Sequence, residues 1–284
     1  MATVDALVQG LEFRTLVFIF CEAMRPLVAE RYMRYHISAM DLELTGKRAL
    51  VTGASEGIGR AVVEALAAEG CDVAFCARRQ GPLDELARSV AERTGRRTVP
   101  VSADMSKRED IERFVATAAD QLGGVDILVN NAGASIFAEF EDIPDDRWLA
   151  DIELKLVGYV RTIRAALPHL RRQRGRIVNI GGNAGRQPLP YHLPGGSANA
   201  AILNLTVALG QHLAGDGVRI LTCAMGPVRT ARFVKQIHAN AVRWGIGDEE
   251  AEKRFTDELP LGYVPTPEEL ADVIVFLASR GPRT

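Results

Sequence analysis

A chain of 284 residues suits one large α/β domain or two small ones, and 47% hydrophobic with 25% charged residues is ordinary globular composition. A net charge of -2 leaves no basic field to attract nucleic acid or an anionic membrane. The four cysteines, Cys21, Cys71, Cys76 and Cys223, form no C-x-x-C pair and lie at no metal-ligand spacing from a histidine, which excludes a disulfide scaffold and a zinc site.

Residues 1–39 differ in character from the rest of the chain. The apolar run Leu16 to Cys21 is far too short to span a bilayer, and the first charges, Asp5 and Glu12, do not open a signal peptide. Phe13, Val17, Phe20, Met24 and Leu27 recur at helical spacing, predicting an amphipathic helix up to about Pro26. The alternative is an upstream extension with the natural start at Met40. From Lys47 the pattern alternates. Short apolar or β-branched runs predict strands at 47–52, 72–77, 98–102, 126–130, 176–181 and 218–223. Amphipathic stretches between them predict helices at 58–69, 81–93, 107–121, 148–171 and 198–213. Strict βα alternation implies a Rossmann-type, doubly wound parallel sheet with helices on both faces. No linker divides residues 40–284, so one domain is expected, with 229–262 as a charged helical insertion over the carboxyl ends of the strands. Cys71 and Cys76 border and enter a strand and read as buried thiols in a reducing compartment, hence cytoplasmic.

The first strand runs into Thr52-Gly53-Ala54-Ser55-Glu56-Gly57-Ile58-Gly59. Gly53 permits the tight turn, Gly57 the approach of backbone to a pyrophosphate, and Gly59 close packing of helix on strand. The helix start then offers free N–H groups and the positive end of its dipole to phosphate. Between a strand and an amphipathic helix this spacing is a strong dinucleotide signal, assigning Gly53, Ser55, Glu56, Gly57, Ile58 and Gly59 to the cofactor. The second strand ends in Arg78-Arg79, where an NAD site carries an acid for the ribose hydroxyls. A guanidinium suits a 2′-phosphate, so NADP(H) is expected ahead of NAD(H).

These residues resemble the short-chain dehydrogenase/reductase family, and further segments agree over about residues 41–280. Asn131-Ala132-Gly133 is similar to the family's NNAG strand end along the cofactor. Asp104-Met105 matches its adenine-contacting pair, and Gly226-Pro227-Val228-Arg229-Thr230 resembles its PG-x-x-x-T segment, bringing Gly226, Val228 and Thr230 to the nicotinamide. The resemblance implies a small-molecule substrate, hydride transfer to or from a carbonyl or alcohol, and a homo-oligomer. The family's Asn-Ser-Tyr-Lys tetrad is missing. None of Tyr32, Tyr35, Tyr159, Tyr191 and Tyr263 is followed by Lys four residues on. By spacing, Lys155 stands in the Asn place, Gly181-Gly182 cover the Ser place, and the Tyr and Lys places fall near Gly195 and Asn199. A divergent subgroup of the family shares the Glu153-Leu154-Lys155 and Gly195…Asn199-Ala200-Ala201-Ile202 segments.

The chain has five lysines, so a replacement for the lost one is readily sought. Lys155 is the candidate: a desolvated ammonium on a cleft helix could depress a neighbouring acid or bind a substrate oxyanion. Tyr191 or His192, on the loop before the altered segment, could supply the proton. The plainer expectation for Lys155 is a surface pair with Asp151 at (i, i+4), and for the loop residues simple packing. A non-catalytic dinucleotide-binding sensor or partner subunit is the competing function. At the end of the chain, Phe276 to Thr284 lacks the family's last strand, so an open sheet edge is expected.

Overall fold

The computed structural model describes residues 41–134 and 136–280; the expected helix before Pro26, Met40 and the last four residues lie outside them. The chain divides into a larger unit, Leu42–Phe233 with Pro265–Thr284, and a smaller one whose described part is residue 41 and residues 234–264.

The larger unit carries a six-stranded parallel sheet: β1 Arg48–Thr52, β2 Asp72–Ala77, β3 Thr98–Ser102, β4 Ile127–Asn130, β5 Arg176–Gly182 and β6 Arg219–Met225. Their order is β3-β2-β1-β4-β5-β6, and every expected strand is found within two residues of its predicted bounds. Helices follow in chain order: α1 Gly57–Ala68, α2 Gln80–Thr94, α3 Arg108–Leu122, α4 Asp145–Ile152, α5 Gly158–Gln173, α6 Leu193–Leu213, α7 Ala231–Trp244, α8 Asp248–Asp257 and α9 Pro267–Ala278. Helix α6 begins five residues before its expected start. Pro194, at the first helical turn where its missing N–H costs nothing, starts it despite Gly195 and Gly196.

The period of two along each strand sorts the core into two layers. Ala49, Val51, Val73, Phe75, Ile127, Val129, Val178 and Ile180 face α1, α2 and α9. Leu50, Ala74, Cys76, Leu128 and Ile177 face α3 and α5. Burying each such Val, Leu or Ile contributes about 1.5–3 kcal/mol, which is why the strands are apolar on both faces. Cys71 and Cys76 are buried free thiols, and burial pushes both up to about 12, so neither is a nucleophile at neutral pH.

One polar chain crosses this sheet. Asn130 Nδ2 donates to Asn179 Oδ1 at 2.9 Å, and Asn179 Nδ2 donates to Thr206 Oγ1 at 3.0 Å. Thr206 Oγ1 and Thr222 Oγ1 are 2.7 Å apart. It fixes the register of β4, β5 and β6 beneath α6 near the carboxyl ends of the strands. The strand order reverses between β1 and β4, the place where doubly wound sheets carry their ligands beyond the carboxyl ends of the strands. In the smaller unit, His238 lies 3.1 Å from Asp248 and the Arg254 guanidinium stacks 4.4 Å from the Trp244 ring centre. Among the described residues no helix is long and apolar enough to cross a membrane, and no cluster of His, Cys, Asp or Glu could hold a metal.

Candidate active site

The glycine loop is closed by the strand beside it. Gly53 has φ +73°, and a Cβ there would meet Ala132 Cα at 2.8 Å. On Gly59 a Cβ would come within 2.2 Å of the Gly53 carbonyl oxygen. Asn131 ties the two loops together: its Nδ2 donates to the carbonyls of Thr52 and Gly53 at 2.9 and 3.0 Å. The backbone N–H groups of Asn131 and Ala132 both donate to Thr52 Oγ1 at 3.0 Å. Gly57, at φ +57°, lies under Thr230, whose Cγ2 would be 3.2 Å from an added Cβ. Glu56, at the N-cap of α1, makes no side-chain cap, so the first-turn N–H groups stay available to an anion. This side-chain-free cradle at a helix start fits the pyrophosphate of a dinucleotide.

Most of the remaining expected cofactor residues follow the carboxyl ends of β2, β3 and β6. Arg78 is exposed at the end of β2, its guanidinium in none of the ion pairs among the described residues. Arg79 pairs instead with Glu56, at 3.6 Å. Asp104 uses one carboxylate oxygen on its own turn, accepting from Ser106 N at 3.0 Å and Ser106 Oγ at 2.8 Å. Met105 is buried, its sulfur 3.8 Å from Cys76 Sγ. Ser55 and Ile58 are half-buried in the loop, Val228 is buried and Gly226 is exposed.

Lys155 stands at an irregularity that the sequence did not reveal. The expected helix 148–171 starts at Asp145, and between α4 and α5 it carries a π-turn, Glu153–Val157, closed by Gly158 N donating to Glu153 O. Such turns insert an extra residue and re-aim side chains. Glu153 and Lys155, two residues apart, point to opposite sides. Outward, Glu153 pairs with Arg161, which also donates to the Ser106 carbonyl at 3.0 Å. Inward, the Lys155 stem lies on the end of β4, its Cδ 3.3 Å from where a Cβ on Gly133 would stand. Burial, then the charge of Arg232, lowers the Lys155 ammonium from 10.5 to about 8, with Asp151 partly opposing.

The expected surface pair of Lys155 with Asp151 is therefore corrected. Asp151 is buried and already engaged: Oδ2 accepts from Ile136 N at 3.1 Å and Oδ1 lies 3.6 Å from Arg147. Of the two loop candidates, Tyr191 is 37% exposed, and its carbonyl accepts from Ala138 N at 3.0 Å. His192 turns inward and stacks on Phe137, ring centres 4.3 Å apart. Its Nδ1 is buried without a hydrogen-bond partner. Burial first, then Lys155, holds the ring below the usual histidine range. Arg232, which nothing in the sequence singled out beyond its place two residues after Thr230, donates from Nη2 to the Gly133 carbonyl at 2.7 Å.

The residues that by spacing stand at the family's Ser and Lys places hold one another. Asn199 Oδ1 accepts from Gly182 N at 2.9 Å, and a Cβ on Gly182 would come within 2.5 Å of Asn199 Nδ2. Gly195 is buried in the first turn of α6. Tyr159 offers no substitute phenol: it is buried, donates to the Ile180 carbonyl at 3.1 Å, and burial raises its pKa far above the ordinary value.

Comparison with known proteins agrees with this geometry. The family described as short chain dehydrogenase matches residues 47–241. A D-beta-hydroxybutyrate dehydrogenase of Cupriavidus necator is 35% identical over 84% of this chain and 93% of its own length. A 3-oxoacyl-[acyl-carrier-protein] reductase of Vibrio harveyi is 31% identical over 84% of this chain and 92% of its own. Among solved structures, L-sorbose reductase from Gluconobacter frateurii, complexed with NADPH and L-sorbose, superposes with a TM-score of 0.81 at 31% identity, covering 85% of this chain and 92% of that one. On its fold, its phosphate cradle and this match, the chain belongs to the short-chain dehydrogenase family of oxidoreductases.

Proposed function

We propose that the protein is an NADP(H)-dependent oxidoreductase that interconverts a carbonyl and an alcohol, with Lys155 and His192 acting where the family's tetrad is missing. The cradle of Gly53, Ser55, Glu56, Gly57, Ile58 and Gly59 would hold the pyrophosphate, with Asn131, Ala132, Gly133, Gly226, Val228 and Thr230 along the rest of the dinucleotide. Asp104 and Met105 would border the adenine. Arg78, with Arg79 beside it, would hold the 2′-phosphate, and the NADPH in the sorbose reductase relative supports that choice over NAD(H). Bound there, the nicotinamide supplies or takes up a hydride.

The chain itself must manage the proton and the charge on the substrate oxygen. The observation that carries this reading is the half-buried Lys155 laid over Gly133, with its ammonium brought down to about 8. As ammonium it binds the carbonyl oxygen and gives up one proton as the C=O π bond becomes C–H and O–H. As amine it takes that proton back in the reverse direction. A group titrating near neutrality serves both directions. His192 fits the relay better than Tyr191, because its buried Nδ1 is an unused acceptor. The relatives' names, spanning a hydroxy acid, an acyl thioester and a sugar, do not narrow the substrate. Buried free thiols support a cytoplasmic setting, and exposed Val207 and Leu221 support a homo-oligomer.

The test is fluorescence titration with NADPH and with NADH, followed by a carbonyl screen of wild type and Lys155→Met. Tight NADPH binding, weaker NADH binding and turnover lost in the variant are expected. Failure of the folded protein to bind either dinucleotide would refute the reading. The Gly182–Asn199 lock favours one rival, a dinucleotide-binding subunit without turnover. That rival predicts NADPH binding and no activity on any carbonyl.

A further inference from the structure

Two cationic side chains meet at one residue, Gly133. Arg232 reaches Gly133 from the first turn of α7, and Lys155 covers the same residue from the π-turn. No carboxylate among the described residues pairs with Arg232. Asp151, the acid whose charge acts on Lys155, is taken by Arg147 and by the Ile136 N–H. Arg232 uses one of its five N–H donors on Gly133, so an edge of the planar guanidinium remains for a two-pronged acceptor. Phe137, Leu189 and Tyr191 are exposed on the two loops joined by the Ala138–Tyr191 backbone bond, and Phe137 stacks on His192, whose ring feels the charges of Lys155 and Arg232. Arg232 is solvent-exposed and Lys155 largely buried, and the charge of Arg232 weighs against that of Lys155, so an anion brought to this edge would relieve the pair.

Resting on the functional reading above, we infer that the substrate is a short oxo or hydroxy acid, its carboxylate held by Arg232 and its reacting oxygen by Lys155. The carbon chain beyond then lies against Phe137, Leu189 and Tyr191. The carboxylate would also fix which face of the carbonyl is presented, since two anchored oxygens leave the carbon between them little rotational freedom.

The chain's five lysines make the test direct. The protein is labelled with 13C-lysine, and the Lys155 side-chain signal is assigned by its absence in Lys155→Met. NADP+-loaded protein is titrated with butyrate and, separately, with butyramide, at constant ionic strength set by chloride. Butyrate is expected to move the Lys155 signal saturably and butyramide to leave it in place. Arg232→Gln should weaken the butyrate effect about tenfold or more, well beyond any change it makes in the Kd for NADPH. Equal responses to acid and amide, an unchanged response in Arg232→Gln, or a butyrate effect that chloride reproduces would overturn the inference. So would a butyrate effect that disappears on loading NADP+, because the carboxylate would then have been mimicking a cofactor phosphate. In each of those cases intact NADPH binding leaves the oxidoreductase reading standing; loss of NADPH binding by the folded wild-type protein overturns both.

Discussion

Replacing Lys155 with methionine should make the protein more stable and less active at once. The folded ammonium titrates at about 8 against 10.5 in an open chain. At 1.36 kcal/mol per pKa unit, holding the charge in place costs up to about 3 kcal/mol at pH 7. Lys155 keeps some contact with solvent, and screening there reduces the figure to about 1–2 kcal/mol. Methionine preserves the stem against Gly133 and removes the charge, so that penalty should be relieved. For a protein of this size the gain corresponds to a rise in Tm of about 2–8 °C. The sign with pH is a further check. Because the folded pKa lies below the unfolded one, the penalty is complete below about pH 8 and fades as pH rises toward 10.5. At pH 10 the advantage of the variant should shrink to about a quarter. Thermal melts of both proteins at pH 7 and pH 10, beside NADPH-dependent turnover, test this. An unchanged or lower Tm at pH 7 would refute the reasoning, as would a gain equally large at pH 10. The first would mean the ammonium is not desolvated, the second that packing and not charge sets the effect.

Arg78→Ala should raise the Kd for NADPH about tenfold or more and leave NADH nearly unchanged, in parallel fluorescence titrations, because only the former carries the 2′-phosphate. The rate of carbonyl reduction, as kcat/KM, should be flat below about pH 8 and fall tenfold per unit above it as Lys155 loses its proton; alcohol oxidation should rise with pH and level off near the same value. Gly182→Ser restores a family residue type yet should lower stability by about 1–3 kcal/mol in chemical denaturation, since its Cβ would stand 2.5 Å from Asn199 Nδ2. Pairing it with Asn199→Ala should recover part of that loss, a non-additivity of about 0.5–3 kcal/mol. Cys71 and Cys76, pushed up to about 12, keep their protons in the fold where an open chain would lose them near 9. Stability should therefore decline as pH rises through 9 to 12, with a shallower decline in Cys71→Ala.

The strands and the cofactor loop were legible because local chemistry dictates them. Leu50, Val51, Phe75 and Val129 are apolar on both faces of a parallel sheet, and no solvated element carries such runs. Gly53, Gly57 and Gly59 can be read in order because each answers a separate steric demand: the structure has the tight turn at Gly53 and the close helix packing at Gly59, with Gly57 at φ +57°. Arg232 was not legible. It comes to Gly133 only through folding, and an arginine in a charged stretch is ordinarily solvated. The π-turn was hidden for another reason. Glu153-Leu154-Lys155-Leu156-Val157 is good α-helical sequence, and the extra residue is imposed by tertiary contacts. Gly158 is pressed against Met105, where a Cβ would be 2.6 Å from the carbonyl oxygen, and Arg161 ties Glu153 to the Ser106 loop.

Those same contacts bear on whether the missing tetrad reflects decay or replacement. Simple loss of catalysis would leave each vacated place free to vary independently. Gly182 and Asn199 are not independent: the amide of one binds the side chain of the other, and a side chain on the first would collide with the second. Together they close the places that the resemblance gives to a hydroxyl and an ammonium. Lys155 is held in an environment that disfavours its charge, beside Arg232, which disfavours it further. If Lys155→Met melts higher, as expected above, the packing does not require an ammonium there. A charge held at a cost beyond the carboxyl end of β4 is what the proposed transfer of the acid–base duty from α6 to the π-turn requires.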